Sequence, residues 1–344
     1  MTRAWRLVLG FSLLLLGAGV VVVWLGLRSL DAPLRLAAPV RFKVAPGASF
    51  ARVAAQLTAQ GVIANPRAWV LYARLQGLAP AVKAGEYEIQ PGTTPRALLA
   101  RMVNGQVLLH SFTIVDGWRV EDMLGAMRRN PDIITTLVGK PPDLAQRLEL
   151  PRTDPEGQFL PETYRFVAGT TDIELLRQAH AALNRALDAV WMARDPDLPL
   201  RDSYELLIMA SIIEKESGLP QELGKIAGLY LHRLSLGMRL QADPTVIYGL
   251  GDRYDGDIRT ADLRTDGPYN TYTRVGLPPT PIALAGAAVL RATAHPDKTD
   301  AIYFVASSKG DGSHVFSATL QQHNAAVAAY LAHQRRRAAG DAIR

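Results

Sequence analysis

An uninterrupted apolar run, Leu7 to Leu27 (LVLGFSLLLLGAGVVVVWLGL), constrains this chain more than any other feature. As a helix rising about 1.5 Å per residue it is roughly 31 Å long, enough to cross the hydrocarbon core of a bilayer. Arg3 and Arg6 precede it, so the positive-inside rule puts residues 1–6 in the cytoplasm and residues 28–344 outside. A cleaved signal peptide is the alternative, with small residues at Gly17–Gly19 as its support. The run is longer than the usual ~7–15-residue apolar region of such peptides, which favours a single-pass anchor.

The 344 residues allow two or three domains. There is no cysteine, which excludes a thiol nucleophile, a zinc ribbon, a disulfide scaffold and a lipid anchor on cysteine. The net charge of +6 suggests a nucleic-acid partner until it is located. Residues 1–43 hold six Lys/Arg against Asp31, and residues 334–344 hold four Arg against Asp341. These ends carry more than the whole excess, so the body is slightly acidic and no nucleic-acid partner is expected.

Residues 28–38 read as a linker. Between 39 and 106, strand signals at Val40–Val44 and Gly85–Ile89 bracket two helices, capped by Ser49 and by Asn65-Pro66, and Thr94-Pro95 opens a third helix to Gly105. Strand, helix, helix, strand resembles the LysM module, whose family binds glycan chains. From 107 to 334 the pattern is mostly helical: 118–129, 172–193, Asp202–Ser217, Gln221–Leu236, 282–293 and 318–337. Strands are expected at Val107–Val115, Ala301–Ala306 and His314–Phe316, with a Pro-broken region at 141–161 and an irregular stretch at 237–281. The fold class is therefore α+β: a transmembrane helix at 7–27, a small LysM-like domain at 39–106, a larger helical domain with a short β element at 107–334, and a basic tail at 335–344.

The helix Asp202–Ser217 is apolar on nearly every side and is expected to be a core helix that Gly218 and Pro220 terminate. It carries Glu214 and Glu216, and buried carboxylates must be protonated or paired. At 100° per residue the two point about 200° apart, so they cannot work as a couple. Glu216 lies in the last turn, where the helix dipole disfavours ionisation and suits a general acid. Ion pairing with Lys215, Arg233 or Arg239 is the structural alternative. Gln241, Asp243, Thr245 and Tyr248, together with Asn270 and Tyr272, form two stretches dense in hydroxyls, amides and aromatic rings, as sugar recognition requires. An ordered loop built from caps and turns is the plainer reading of the same residues.

Seven motifs then join into one pattern: EGQFLPETY at 156–164, MASIIEKESG at 209–218, GMRLQADPTVIYGLG at 237–251, YNTY at 269–272, GLPPTPI at 276–282, HisPro at 295–296 and TyrPheVal at 303–305. In this order they resemble the YceG-like endolytic murein transglycosylases, over almost the whole chain apart from the arginine-rich tail. The resemblance implies a bacterial inner-membrane enzyme with its catalytic domain outside, cutting MurNAc–GlcNAc bonds in nascent strands and leaving 1,6-anhydroMurNAc ends. Glu216 is the implied catalytic acid. Gln241, Asp243, Thr245, Tyr248, Asn270 and Tyr272 are the candidate substrate contacts, with Glu162 a lower-ranked member of the cleft. Glu162 stands where Asp is common and Asp116-Gly117 where Glu-Gly is usual, and both changes keep the carboxylate. Peptidoglycan strands, the membrane and peptidoglycan synthases are the implied partners. The alternative is a non-enzymatic scaffold that binds peptidoglycan. No cofactor and no metal is expected: no histidines pair on a helix face, and Asp252–Asp257 lacks the spacing and closing Glu of a calcium loop.

Overall fold

The computed structural model describes residues 3–137, 141–216 and 219–341. Ser217 and Gly218, expected to follow the acid and stop its helix, and residues 342–344 of the tail lie outside the described residues. The chain forms two compact units, one of residues 1–110 with 165–169, the other of residues 111–164 with 170–344.

The first unit begins with α1 (Arg3–Arg28), and the helical stretch Leu13–Asp31, which runs from α1 into the short turn after it, has a mean hydropathy of 2.1 and is almost wholly exposed. It is long and apolar enough to cross a membrane. Strand β1 (Val40–Val44) pairs antiparallel with β2 (Gly85–Ile89), Val40 opposite Ile89 and Val44 opposite Gly85. Between them run α2 (Phe50–Ala59) and α3 (Pro66–Leu75), and α4 (Pro95–Val103) follows. Ser49, Asn65 and Thr94 each accept the backbone N–H three residues on, so all three helices start where their side-chain caps predict. Trp69 is the largest side chain in the core, packed on Phe50, and its buried indole N–H donates to the Pro95 carbonyl at 2.9 Å. Residues 28–38 are not the free linker expected: Leu30 and Leu34 are buried in this core, and the Leu34 amide donates to Thr93. Apolar side chains this close to a core are drawn out of water into it.

Strands β3 (Leu109–Thr113) and β4 (Thr163–Val167) pair, and the chain passes between the units along both. β4 falls between the Pro-broken region expected at 141–161 and the helix expected from 172, where no element is expected, and its five residues are a short signal. The second unit contains α5 (Val120–Arg129), α6 (Pro141–Leu148), α7 (Asp172–Ala193), α8 (Ser203–Glu216) and α9 (Leu223–Ser235). It continues with α10 (Asp243–Leu250), α11 (Thr260–Arg264), α12 (Ala287–Ala294), the antiparallel hairpin β5 (Tyr303–Ala306) and β6 (His314–Ser317), and α13 (Leu320–Asp341). The 237–281 stretch is thus partly helical rather than irregular, and 282–286 is not helical.

Eight successive residues of α8, Leu206 to Ile213, are buried among α7, α9 and α12, as a helix apolar all round must be. The Ser211 hydroxyl in that core accepts the Ile282 amide at 3.0 Å and draws the 282 segment onto α8. Gly224 and Gly228 share one face of α9, against which residue 297 packs. A Cβ on Gly228 would lie 2.2 Å from the Asp297 carbonyl oxygen. Gly228→Ala should therefore destabilise this unit by about 1–3 kcal/mol in urea unfolding, although alanine favours helix by up to about 1 kcal/mol. Gly125→Ala on α5, whose Cβ would meet only the end of Arg129 at 3.4 Å, is the control and should be neutral or stabilising.

Candidate active site

Glu216 ends α8. Oε1 accepts a 2.7 Å hydrogen bond from the hydroxyl of Tyr230, a fully buried residue of α9. The carboxyl is pushed up to about 7, first by burial and next by the negative charge of Asp243, while the Tyr230 bond and His314 pull the other way. The elevation expected of this residue is present, with desolvation rather than the helix dipole as its main cause. Arg233 and Arg239 do not pair with it. The buried Arg233 guanidinium donates to the Gln241 side chain and to the Arg239 carbonyl.

Glu214 faces elsewhere, as the helical angle requires. It accepts the Gly286 amide at 2.9 Å, and burial, with Asp116 nearby, raises its pKa. It secures the segment entering α12.

Asp243 is the first residue of α10. Ala242, not Asp243, holds the N-cap position, and the Asp243 carboxylate instead accepts a short hydrogen bond from the Tyr272 hydroxyl. Tyr272 itself senses the Glu216 charge, so Glu216, Asp243 and Tyr272 form one electrostatic group. Gln241, exposed and at φ 53°, is a non-glycine residue in the left-handed region, held there by the Arg233 bond and by its amide on Thr271.

Two other expected contacts turn inward. Thr245 is buried, its hydroxyl shared between the Ala242 carbonyl and Thr271. Asn270 is buried, its amide donating to the carbonyls of Asp262, Leu263 and Thr265. Both hold the loop that carries Asp243 and Tyr272. Tyr248 packs edge-on against Tyr269 at 4.8 Å, under the Arg119 guanidinium, and lines a cavity of about 600 Å³ with Asp154 and Glu156. Glu162 is exposed, and its backbone carbonyl accepts the Ile114 amide.

Sequence reasoning missed four residues here. Tyr230 reads as one more apolar position of α9, and Glu222 and His314 are 92 residues apart yet hydrogen-bonded at 2.7 Å. Glu156 is buried on the amides of Val120 and Gly157, its carboxyl also raised to about 7 by burial. It stands in the EGQFLPETY motif, the one signal that could have marked it.

The model of the YceG-like family matches residues 42–329. The chain belongs to this family. A Bacillus subtilis (strain 168) relative named endolytic murein transglycosylase is 30% identical over 310 residues, covering 85% of this chain and 85% of the relative. A Streptococcus pneumoniae (D39) protein of the same name is 24% identical, covering 83% of this chain and 57% of that one. A crystal structure of a YceG-like protein from Listeria monocytogenes superposes with a TM-score of 0.52 at 25% identity, covering 83% of this chain and 98% of that one.

A carboxyl raised from 4.5 to about 7 contributes to stability below its unfolded value and loses that contribution as pH rises through about 7. Glu216→Gln removes this loss in the YceG-like chain. At pH 8 the variant should be about 1–3 kcal/mol more stable than wild type, and at pH 4 nearly equal, in thermal or urea unfolding. Equal stability at pH 8 would show that the carboxyl is not desolvated.

Proposed function

We propose that this chain is an endolytic peptidoglycan lytic transglycosylase with Glu216 as its single acid and base. The observation that carries the reading is a crowded carboxyl, raised to about 7, with one oxygen occupied by Tyr230. It belongs to a chain whose relatives bear the name endolytic murein transglycosylase. A carboxyl at that value is half protonated near neutral pH, the optimum for an acid that must later act as base.

Tyr230 holds Oε1, leaving Oε2 to face the glycan. Protonated Glu216 delivers its proton to the glycosidic oxygen between MurNAc and GlcNAc, and the C1–O bond breaks with positive charge spread over C1 and the ring oxygen. The C6 hydroxyl of the same MurNAc attacks C1, and the Glu216 carboxylate takes the hydroxyl proton. A 1,6-anhydro end forms, the acid is restored and no water is consumed. The attacker is intramolecular and arrives at high effective molarity, so no second carboxylate is needed to activate it. During the ionised half of the cycle the Tyr230 hydroxyl stabilises the carboxylate with a charge-assisted hydrogen bond.

Tyr272, Gln241 and Tyr248 offer hydroxyl, amide and ring surface to the sugars, Thr245 and Asn270 hold their loop, and Glu162 is an outer member of the cleft. The first unit, 39–106 with its LysM-like order, is a second glycan hold, and 107–334 is the catalytic domain. The helix Leu7–Leu27 anchors the chain in the inner membrane with the N-terminus cytoplasmic, beside the peptidoglycan synthases whose strands it ends.

Digestion of purified peptidoglycan should yield ends about 18 Da lighter than hydrolysis gives, the mass of one water per cut, as read by mass spectrometry. Label from heavy-oxygen water in most new ends would instead show a hydrolase. Glu216→Gln should fold and lose activity by at least about 10²-fold, whereas Glu214→Gln should act mainly on stability. Protease added to spheroplasts should degrade the body and spare the anchor.

A further inference from the structure

Helix α3 buries one face and leaves an apolar face in water. Trp69 and Ala73 are fully buried, while Leu71 and Leu75 are 46% and 71% exposed. At 100° per residue these two leucines share an arc of about 120° with Arg67, Ala68 and Arg74. Both arginines are exposed, and among the described residues neither forms an ion pair. Ala68 lies on the same line of the helix as Leu75, two turns earlier, and it touches α1: a Cβ on Gly26 would stand 3.4 Å from the Ala68 Cβ. Gly26 is the next-to-last residue of the apolar run, and Leu27, the last, packs on the core of this unit. Beside them the Arg28 guanidinium covers the Trp24 ring at 5.0 Å, an aromatic and a cation of the kind found where a spanning helix leaves hydrocarbon. Helix α3 therefore meets α1 at the depth where bilayer headgroups would begin.

We propose that the outward face of α3, with Arg67, Leu71, Arg74 and Leu75, docks on the anionic lipid headgroups of the leaflet from which α1 emerges. The proposal goes beyond the catalytic reading and rests on α1 being the membrane anchor. Leu30 and Leu34, equally near the end of α1, are taken into the core, but no core covers the outer face of α3. A helix with leucines and arginines on one face settles with those side chains at the boundary of headgroups and acyl chains. Charge points to anionic lipid, because residues 28–110 hold ten Lys and Arg against three carboxylates. One of the three, Asp31, is already engaged by Arg96. A unit so basic, tethered at a bilayer, is attracted to phosphodiester charge within a Debye length. Glycan fits this face less well. The ring beside it, Tyr72, is covered by the Arg96 guanidinium at 4.4 Å, so sugars find no free ring to stack on.

The chain has no cysteine, so Leu75→Cys in the full chain gives one thiol for an environment-sensitive fluorophore. The labelled chain is reconstituted into phosphatidylcholine vesicles, with or without phosphatidylglycerol, and quenched by lipid brominated on its acyl chains. With phosphatidylglycerol the label should sit about 5–10 Å into the headgroup and acyl boundary and lose at least about half its emission to the quencher. Phosphatidylcholine alone, or Arg67→Glu combined with Arg74→Glu, should weaken the quenching by about twofold or more. A label at Ala100→Cys, exposed on α4, the helix that packs behind Trp69, should stay unquenched. A Leu75 label that is unquenched with phosphatidylglycerol, quenched equally without it, or quenched no more than the Ala100 label overturns the proposal. Purified peptidoglycan strands that draw the label out of the lipid would overturn it too, by assigning the face to glycan. Release of the chain from the vesicles by alkaline carbonate would instead overturn the anchor reading.

Discussion

The desolvation of one carboxyl organises the second unit. Glu216 sits where a helix with eight successive buried residues reaches its end, so the core that surrounds Leu206 to Ile213 also strips water from the acid. That burial is unfavourable for the ionised group, and the apolar packing of α7, α8, α9 and α12 offsets it. Tyr230 reduces the penalty without removing it. A stronger partner, such as the nearby Arg233, would leave an ionised carboxylate with no proton to give, and Arg233 is committed to Gln241 and the Arg239 carbonyl.

The loop that carries Asp243 and Tyr272 is held by hydrogen bonds as well as by the buried Leu240 and Ala242. The Gln241 amide donates to the Thr271 carbonyl, the Ala242 amide to the Thr271 hydroxyl, and Thr245 shares that hydroxyl at 2.8 Å. Asn270 ties the other side to three carbonyls near α11. Each bond contributes only about 0.5–1.5 kcal/mol net, but leaving any of these buried groups unpaired costs about 1–3 kcal/mol, so the loop has one arrangement. This is why Thr245 and Asn270, polar and close to the site in sequence, face the protein, and why Asp243 and Tyr272 face each other.

Helices with strong local signals were legible in the sequence. The caps at Ser49, Asn65 and Thr94 and the unbroken apolar surface of α8 are encoded within a few residues, and the opposed directions of Glu214 and Glu216 follow from helical geometry alone. What was not legible depends on distant residues. Glu222 and His314 meet only because a hairpin packs on the start of α9, and Tyr230 is indistinguishable in pattern from the apolar residues around it. Asp243-Pro244 reads as a cap, but the backbone places Ala242 there and frees the carboxylate for Tyr272. Leu30 and Leu34 sit beside Arg28, Asp31 and Arg35, and that mixed composition hid their place in a core.

Those two leucines bear on how α1 joins the core of the first unit. A flexible linker after the anchor would let this unit explore a volume set by linker length. Here α1 runs to Arg28, a short turn follows at once, and Leu30 is already buried; Arg96 further clasps Asp31 through paired hydrogen bonds. Only about one residue therefore separates the end of the anchor helix from the core, a few ångströms of chain. The helix that is long and apolar enough to cross a membrane is thus joined to the core of the first unit without a flexible segment.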